Sequence, residues 1–333
     1  MTTTAVKDGE FRIKPSTFRN TISKDPDAIF TPEKLVYCNG VSCRSSWLFK
    51  LLFFVVLALC RDRYHLYIAR SCPFSHRAAI VRALKRLEDI IGLSVVDSVM
   101  SEKGWKFSTP EETPGCIPDT VNNAQYLNEL YFKVNPDYDG RYTVPVLWDK
   151  KLQAIVNNES SEIIRIFNDA FDDFVPETRG KTFYPKHLAS EIDKINDWIY
   201  NKINTGVYKC GFAETQDDYM NHIGLLFEAL DDVEAILSKN KFLVGNTFTE
   251  ADIRLWTTIV RFDPVYHTLF KTNLKTIKHD YPNILRWTRQ IYKIPKVADT
   301  VNMTHIKNGY FKNMKKINPH GIVPVYDGPD LSL

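Results

Sequence analysis

Cys72 is the residue of this chain best placed to do chemistry, and it stands in the run Ser71-Cys72-Pro73-Phe74-Ser75-His76-Arg77. Alternating apolar and polar residues ending at Ile68 predict a strand, and the pattern over 73–91 predicts a helix, so Cys72 falls in the turn between them. The first N–H groups of a helix have no partner inside it and the helix dipole is positive there, so a thiolate at that point is stabilised. Pro73 suits a first-turn position because its missing N–H is not needed there. A buried structural cysteine is the plainer fate of a lone Cys. The order strand, cysteine, proline, helix is that of a redox motif, however, and it favours a reactive thiol. Ser75 occupies the place of the second sulfur in a Cys-x-x-Cys pair, so an external thiol must resolve any disulfide formed on Cys72.

Two further groups bear on what that thiol meets. Val144-Pro145 opens a predicted strand; with a cis peptide bond the Val144 N–H and C=O would pair with an extended peptide, whereas the bland reading is a proline that stops a strand. Glu159-Ser160-Ser161 begins a predicted helix, where backbone N–H groups and the Ser160 hydroxyl make a carboxylate site or, more simply, a serine N-cap. Taken together, a thiolate, a backbone clamp and an anion site fit a cysteine-containing peptide with a free carboxylate. His76 is one turn along the helix from Cys72 and reads as a solvated or structural histidine rather than a base.

The elements that must position these groups alternate. After the strand ending at Ile68 and the helix over 73–91 come a strand over 93–99, a Pro-rich loop containing Gly104 and Trp105, and a helix over 122–134. Strands over 141–148 and 153–156 and a helix over 160–171 complete the set. That order predicts an α/β N-terminal thioredoxin-like domain over 63–172, a mixed four-stranded sheet with helices on both faces. A polar linker over 173–185 leads to an all-α domain over 186–300. Its apolar stripes run through Leu188, Ile192, Ile195, Ile199 and Ile203, and through Tyr219, Ile223, Leu226, Leu230, Val233 and Leu237. Thr249-Glu250-Ala251-Asp252 has the form of a capping box, which makes Asp252 a folding signal; a last helix over 283–293 stops before Pro295, and 301–333 reads as a tail closing the pocket.

Composition sets the bounds. A chain of 333 residues, 44% of them hydrophobic, can bury two ordinary cores, and a net charge of +3 is too small to argue for nucleic acid or an anionic membrane. Six irregularly spaced cysteines make neither a disulfide framework nor a zinc pattern, so a reducing, cytoplasmic setting without metal is expected. Residues 1–34 read as an irregular lead segment without a secretory signal, and the final Leu331-Ser332-Leu333 lacks the basic middle residue of a peroxisomal tripeptide. Residues 35–62 are anomalous: the apolar run over 47–59 is shorter than the ~20 residues of a membrane-spanning helix and contains Lys50.

The set resembles the glutathione transferase superfamily, in its omega-like branch with a catalytic cysteine, and most of all the xi class of glutathionyl-hydroquinone reductases. The resemblance covers residues 11–32 and the chain from Arg63 onward. It is carried by Arg63-Tyr64-His65-Leu66-Tyr67, Cys72-Pro73, Glu102-Lys103-Gly104-Trp105, the stretch 141–148, the stretch 155–165, Gly206-Val207-Tyr208-Lys209, the stretch 249–255, Arg261-Phe262-Asp263-Pro264-Val265-Tyr266 and His305-Ile306-Lys307. What it implies is a homodimeric enzyme using glutathione as co-substrate on aromatic quinone or hydroquinone conjugates. Cys72 would be the nucleophile, Trp105 and Arg141 contacts to glutathione, Val144 with Pro145 its backbone clamp, and Glu159 with Ser160 the binders of its γ-glutamyl end. Tyr208 and Tyr310 would be phenols that hydrogen-bond the aromatic substrate.

Three departures stand out. Phe74-Ser75 replaces the family's Trp-Ala, Gly309-Tyr310-Phe311 replaces a His-Tyr-Tyr-like stretch, and residues 35–62 have no counterpart between two matching flanks, as an in-frame retained intron would not. An omega-type thiol transferase or dehydroascorbate reductase would need the same cysteine without the two tyrosines. The motif Cys-Pro-Phe-Ser also occurs in the intracellular chloride channel proteins, which share the fold, but there the apolar segment includes the cysteine helix, whereas here it precedes the first strand.

Overall fold

The computed structural model describes residues 15–25, 28–32 and 63–333, together with the backbone of two antiparallel two-residue strands, β1 (Val6–Lys7) and β2 (Glu10–Phe11). The apolar insert expected over 35–62 lies outside the described residues. Its flanks meet: the Thr31 carbonyl accepts hydrogen bonds from the Arg63 guanidinium at 2.9 Å and the Tyr64 hydroxyl at 2.7 Å.

Strands β3 (Tyr64–Ile68), β4 (Ile91–Val95), β5 (Val146–Asp149) and β6 (Ala154–Asn157) form one sheet in the order β4-β3-β5-β6. β3 runs parallel to β4 and antiparallel to β5, and β5 is antiparallel to β6, which is the mixed sheet expected. All five residues of β3 are buried, because both faces are covered. Alternation along the strand divides them: Leu66 and Ile68 enter the larger core, shared with the helical domain, while Tyr67 enters a second core with Trp148, Leu127 and Tyr131.

Helix α1 (Pro73–Leu84) is shorter than the 73–91 expected. The chain must turn back there so that Ile91 can pair with Tyr64; Arg86 adopts a φ of 53°, and the Arg82 guanidinium holds the Glu88 and Ile91 carbonyls at 3.2 and 2.8 Å. Helix α2 (Leu127–Val134) likewise starts later than 122. The Asp119 carboxylate collects the N–H groups of Val121, Asn122 and Ala124, a side-chain alternative to helical hydrogen bonds, and the helix begins behind a Tyr126–Glu129 capping box. Helix α3 (Ser160–Asp169) packs against α1.

The second half is helical, with α4 (Ala189–Ile199) widening into a π-type turn at Tyr200–Asn204 and leading to α5 (Gly206–Gly211), α6 (Gln216–Lys239) and α7 (Glu250–Ile259). Another wide turn, Phe262–Tyr266, precedes α8 (Pro282–Tyr292). The helix over 283–293 is not the last: the stretch read as a tail begins with α9 (Met303–Phe311), capped by the Asn302 side chain on the His305 N–H at 2.9 Å. The segment between the domains is also tied down, since buried Lys85 at the end of α1 bonds Asp172 at 2.6 Å and the Lys181 carbonyl at 2.7 Å. Among the described residues no helix is long and apolar enough to cross a membrane.

The Thr249–Asp252 capping box forms as expected, and Asp252 does more than cap. Its buried carboxylate accepts from the Leu243 and Thr249 N–H groups, each at 3.0 Å, and from the Trp287 indole at 2.9 Å. An Asp252→Ala variant strands these donors in the core, so chemical denaturation is expected to show a loss on the order of 4 kcal/mol; a loss below about 1 kcal/mol would mean that the network does not hold the helical domain.

Candidate active site

Cys72 is the N-cap of α1 in an extended conformation, with φ −76° and ψ 123°. Its N–H donates to the Ala69 carbonyl at 3.1 Å, its carbonyl accepts from the His76 N–H at 3.0 Å, and its thiol donates to the Val144 carbonyl at 3.7 Å. The Val144–Pro145 peptide bond is cis. The thiol and the Val144 backbone, 72 residues apart in the chain, are therefore brought together. The Ser75 hydroxyl, where a resolving sulfur would sit, accepts from the Ala69 N–H at 3.4 Å and helps shape the turn.

Trp105 and Arg141 line one cleft of about 180 Å³, together with Lys103, Asn128 and Tyr142. Trp105 is fixed through its carbonyl, which accepts from the Leu127 N–H at 2.9 Å. The Arg141 guanidinium has no carboxylate partner among the described residues, and partial burial lowers its pKa from the ordinary range. A cation and an aromatic face in one cleft suit a carboxylate-bearing peptide.

Glu159 caps α3 with its own side chain, which accepts from the Ser161 N–H and hydroxyl, each at 3.1 Å, and from the Ser16 hydroxyl at 3.0 Å. Burial alone would raise its pKa; the Ser161 and Ser16 hydrogen bonds and nearby Arg77 outweigh that and hold the carboxyl below its usual range. Ser160 is buried beside it, its hydroxyl 3.4 Å from Glu159 Oε1 and accepting from Arg77 at 3.4 Å. The helix end thus offers an ionised carboxylate next to a buried guanidinium, which suits an amino-acid head group carrying both charges.

Tyr208 on α5 and Tyr310 on α9 come together, their hydroxyls 2.6 Å apart. A third phenol, Tyr266, joins them at 2.8 Å from the Tyr310 hydroxyl and stacks on Phe270 with ring centroids 5.4 Å apart. All three are buried, and burial first of all drives the pKa values of Tyr208 and Tyr310 well above the free phenol and raises that of Tyr266. The charge of Cys72 adds to the rise at Tyr208 and Tyr266, which puts the thiol within electrostatic reach of the cluster. Three neutral phenols joined by two hydrogen bonds use two of their protons on one another, which leaves one to donate to a further oxygen while the cluster is intact. Tyr266 lies in the Arg261–Tyr266 block on which the family resemblance partly rests, but no role was expected for it; only the wide turn at Phe262–Tyr266 aims it inward.

His76 is neither solvated nor a base here. Burial, then the charges of Arg261 and Arg70, push it well below the usual imidazole range, and it bonds Thr300 at 2.8 Å and Arg261 at 3.1 Å. Among the described residues no group of three or more His, Cys, Asp or Glu side chains could hold a metal ion.

The model of the glutathione S-transferase N-terminal domain matches residues 71–170, and that of the C-terminal domain matches residues 213–290. The glutathionyl-hydroquinone reductase YqjG of Escherichia coli is 49% identical over 271 residues, 81% of each chain. Among solved structures, the glutathione-S-transferase Xi of Phanerochaete chrysosporium superposes with a TM-score of 0.84 at 48% identity, covering 97% of this chain and 94% of that one. The glutathione-bound structure of E. coli YqjG gives a TM-score of 0.82 at 43% identity, covering 95% of this chain and 98% of that one.

Burial pushes both the Cys116 and the Cys210 thiols up to about 12. A group with a raised pKa stays protonated below it, so peptide mapping after iodoacetamide treatment at neutral pH is expected to find Cys116 and Cys210 unmodified and to find them labelled only in strong alkali. Labelling of either at a rate matching Cys72 would contradict the burial argument.

Proposed function

Because the chain belongs to the Xi class of the glutathione transferase family, we propose that it removes glutathione from S-glutathionyl-hydroquinones through a mixed disulfide on Cys72. The Cys72 thiolate attacks the glutathionyl sulfur. The carbon–sulfur electron pair passes to the ring, whose carbon takes up one proton, and the hydroquinone departs. Cys72 is left in a mixed disulfide, which a second glutathione thiolate cleaves to give glutathione disulfide and the free Cys72 thiolate. Ser75 supports this two-thiol scheme, since its hydroxyl is committed to the turn and cannot resolve a disulfide.

In this reading Trp105 and Arg141 contact glutathione from their shared cleft, the Val144–Pro145 backbone clamps its extended chain, and Glu159 with Ser160 receives its γ-glutamyl end. Tyr208 and Tyr310 hydrogen-bond the ring oxygens while Tyr266 completes their network. The reading extends to a homodimer in a reducing, cytoplasmic compartment, in keeping with three described cysteines that are all free thiols.

The observation that supports the substrate class most is the buried phenol cluster coupled to the charge of Cys72. A general thiol transferase needs the cysteine and the backbone clamp but has no use for neutral phenols beside them. Tyr208→Phe is therefore expected to lower turnover of a glutathionyl-hydroquinone by about 10²-fold while leaving reduction of a simple glutathione mixed disulfide nearly unchanged. Cys72→Ser should abolish both. Unchanged hydroquinone turnover in Tyr208→Phe would favour an omega-type thiol transferase instead.

A further inference from the structure

The turn that presents Cys72 has all of its carbonyls engaged. The Ala69 carbonyl accepts the Cys72 N–H at 3.1 Å and the Cys72 carbonyl the His76 N–H at 3.0 Å, both local bonds. The two between them are held from the other domain. Arg261, just beyond the end of α7, donates from Nε to the Ser71 carbonyl and from Nη2 to the Arg70 carbonyl, each at 3.0 Å, some 190 residues away in the chain.

The same guanidinium donates from Nη1 to the Thr257 carbonyl at 2.6 Å and to His76 Nδ1 at 3.1 Å. With Nδ1 accepting, the proton of neutral His76 sits on Nε2 and donates to the Thr300 hydroxyl at 2.8 Å, which ties α1 to the segment before α9. Arg261 is wholly buried and, among the described residues, has no carboxylate partner. A buried cation held only by carbonyls and an imidazole keeps its field for whatever ionises nearby. Its charge acts to lower the pKa of Tyr266 and of Tyr310 against the rise caused by burial.

We propose that Arg261 is a positioning residue for Cys72, which fixes the Arg70–Ser71 backbone that carries the thiol. The reactive thiol of the N-terminal domain is thereby set by the helical domain. α9 packs against the same turn: a Cβ added at Gly309 would stand 2.3 Å from Ser71 Cβ, so the helix that carries Tyr310 approaches the turn closely only because that position is glycine.

The inference concerns the residues that serve the hydroquinone reading, but its decisive measurement does not depend on that reading. The rate of Cys72 alkylation by iodoacetamide at fixed pH is to be followed by mass spectrometry in wild type, Arg261→Met, Arg261→Lys and Gly309→Ala, with thermal melting as the check on folding. Arg261→Met is expected to slow alkylation about tenfold or more, and to lower kcat on a glutathionyl-hydroquinone similarly with KM changed by less than about threefold. Arg261→Lys, which keeps the charge but not the fork that spans two carbonyls, should recover part of the alkylation rate. Gly309→Ala should slow alkylation with Arg261 intact. Should Arg261→Met fail to fold, Arg261→Lys and Gly309→Ala carry the test. Folded variants that alkylate within about twofold of wild type would overturn the proposal, because a misplaced thiol costs more than that. Slowed alkylation in an enzyme whose wild type shows no hydroquinone turnover would leave Arg261 its role and remove the substrate reading.

Discussion

The burial of α1 between the sheet and the helical domain is the constraint on which the site depends. Its N-terminus carries Cys72, yet the helix is lined with basic residues that could not be buried without partners. His76 is met by Thr300 and Arg261, Arg77 by Asn204 and the Arg254 carbonyl, and Lys85 by Asp172 and the Lys181 carbonyl. Asp172 closes the N-terminal domain, and the other partners come from the segment between the domains or from the helical half. An isolated buried charge costs several kcal/mol, so α1 reaches its place only when the second domain supplies these bonds. Arg77 shows the strain of the arrangement: burial first, then neighbouring Arg254, push its pKa down to about 9. The thiol site is for this reason a property of both domains rather than of a thioredoxin-like unit alone.

The proposed chemistry draws on two kinds of environment. On the side of the sheet, the Val144 carbonyl, the Trp105–Arg141 cleft and the Glu159–Ser160 helix end offer backbone polarity and opposite charges, which suit a peptide with charged termini. On the side of the helical domain, Tyr208, Tyr266 and Tyr310 form a buried, hydrogen-bonded cluster. Burial keeps those phenols protonated, so they can donate to ring oxygens as charge develops there. A sulfur bonded to a peptide on one side and to an aromatic ring on the other would span the two environments.

The strand–Cys–Pro–helix order, the mixed sheet and the Thr249–Asp252 cap were legible because each rests on local rules: period-two burial, first-turn proline and side-chain capping. What could not be read was set by distant partners. α1 stops at Leu84 because Ile91 must register with Tyr64, and α2 starts late because Asp119 takes the N–H groups that a helix would use. α9 was missed although Asn302 marks its start, since the apolar spacing of Met303, Ile306 and Tyr310 is short and interrupted by Lys307 and Gly309. Tyr266 and Arg261 lie in a block that carries the family resemblance, but their roles are not legible there: nothing local distinguishes a tyrosine or arginine that faces a site from one that merely packs. Cys72, Tyr208 and Tyr310, more than a hundred residues apart, stand out mainly through family resemblance, and the fold brings the two tyrosine hydroxyls within 2.6 Å.

A single-turnover experiment bears most directly on the central claim that Cys72 takes the glutathionyl group from an aromatic conjugate. Wild-type protein is mixed with excess S-glutathionyl-hydroquinone in the absence of free glutathione, and released hydroquinone and intact protein mass are followed together. The account predicts a burst of one hydroquinone per chain, matched by a mass gain of one glutathionyl group that maps to Cys72 and disappears on adding glutathione. Hydroquinone release without that adduct, or no release until free glutathione is present, would contradict it.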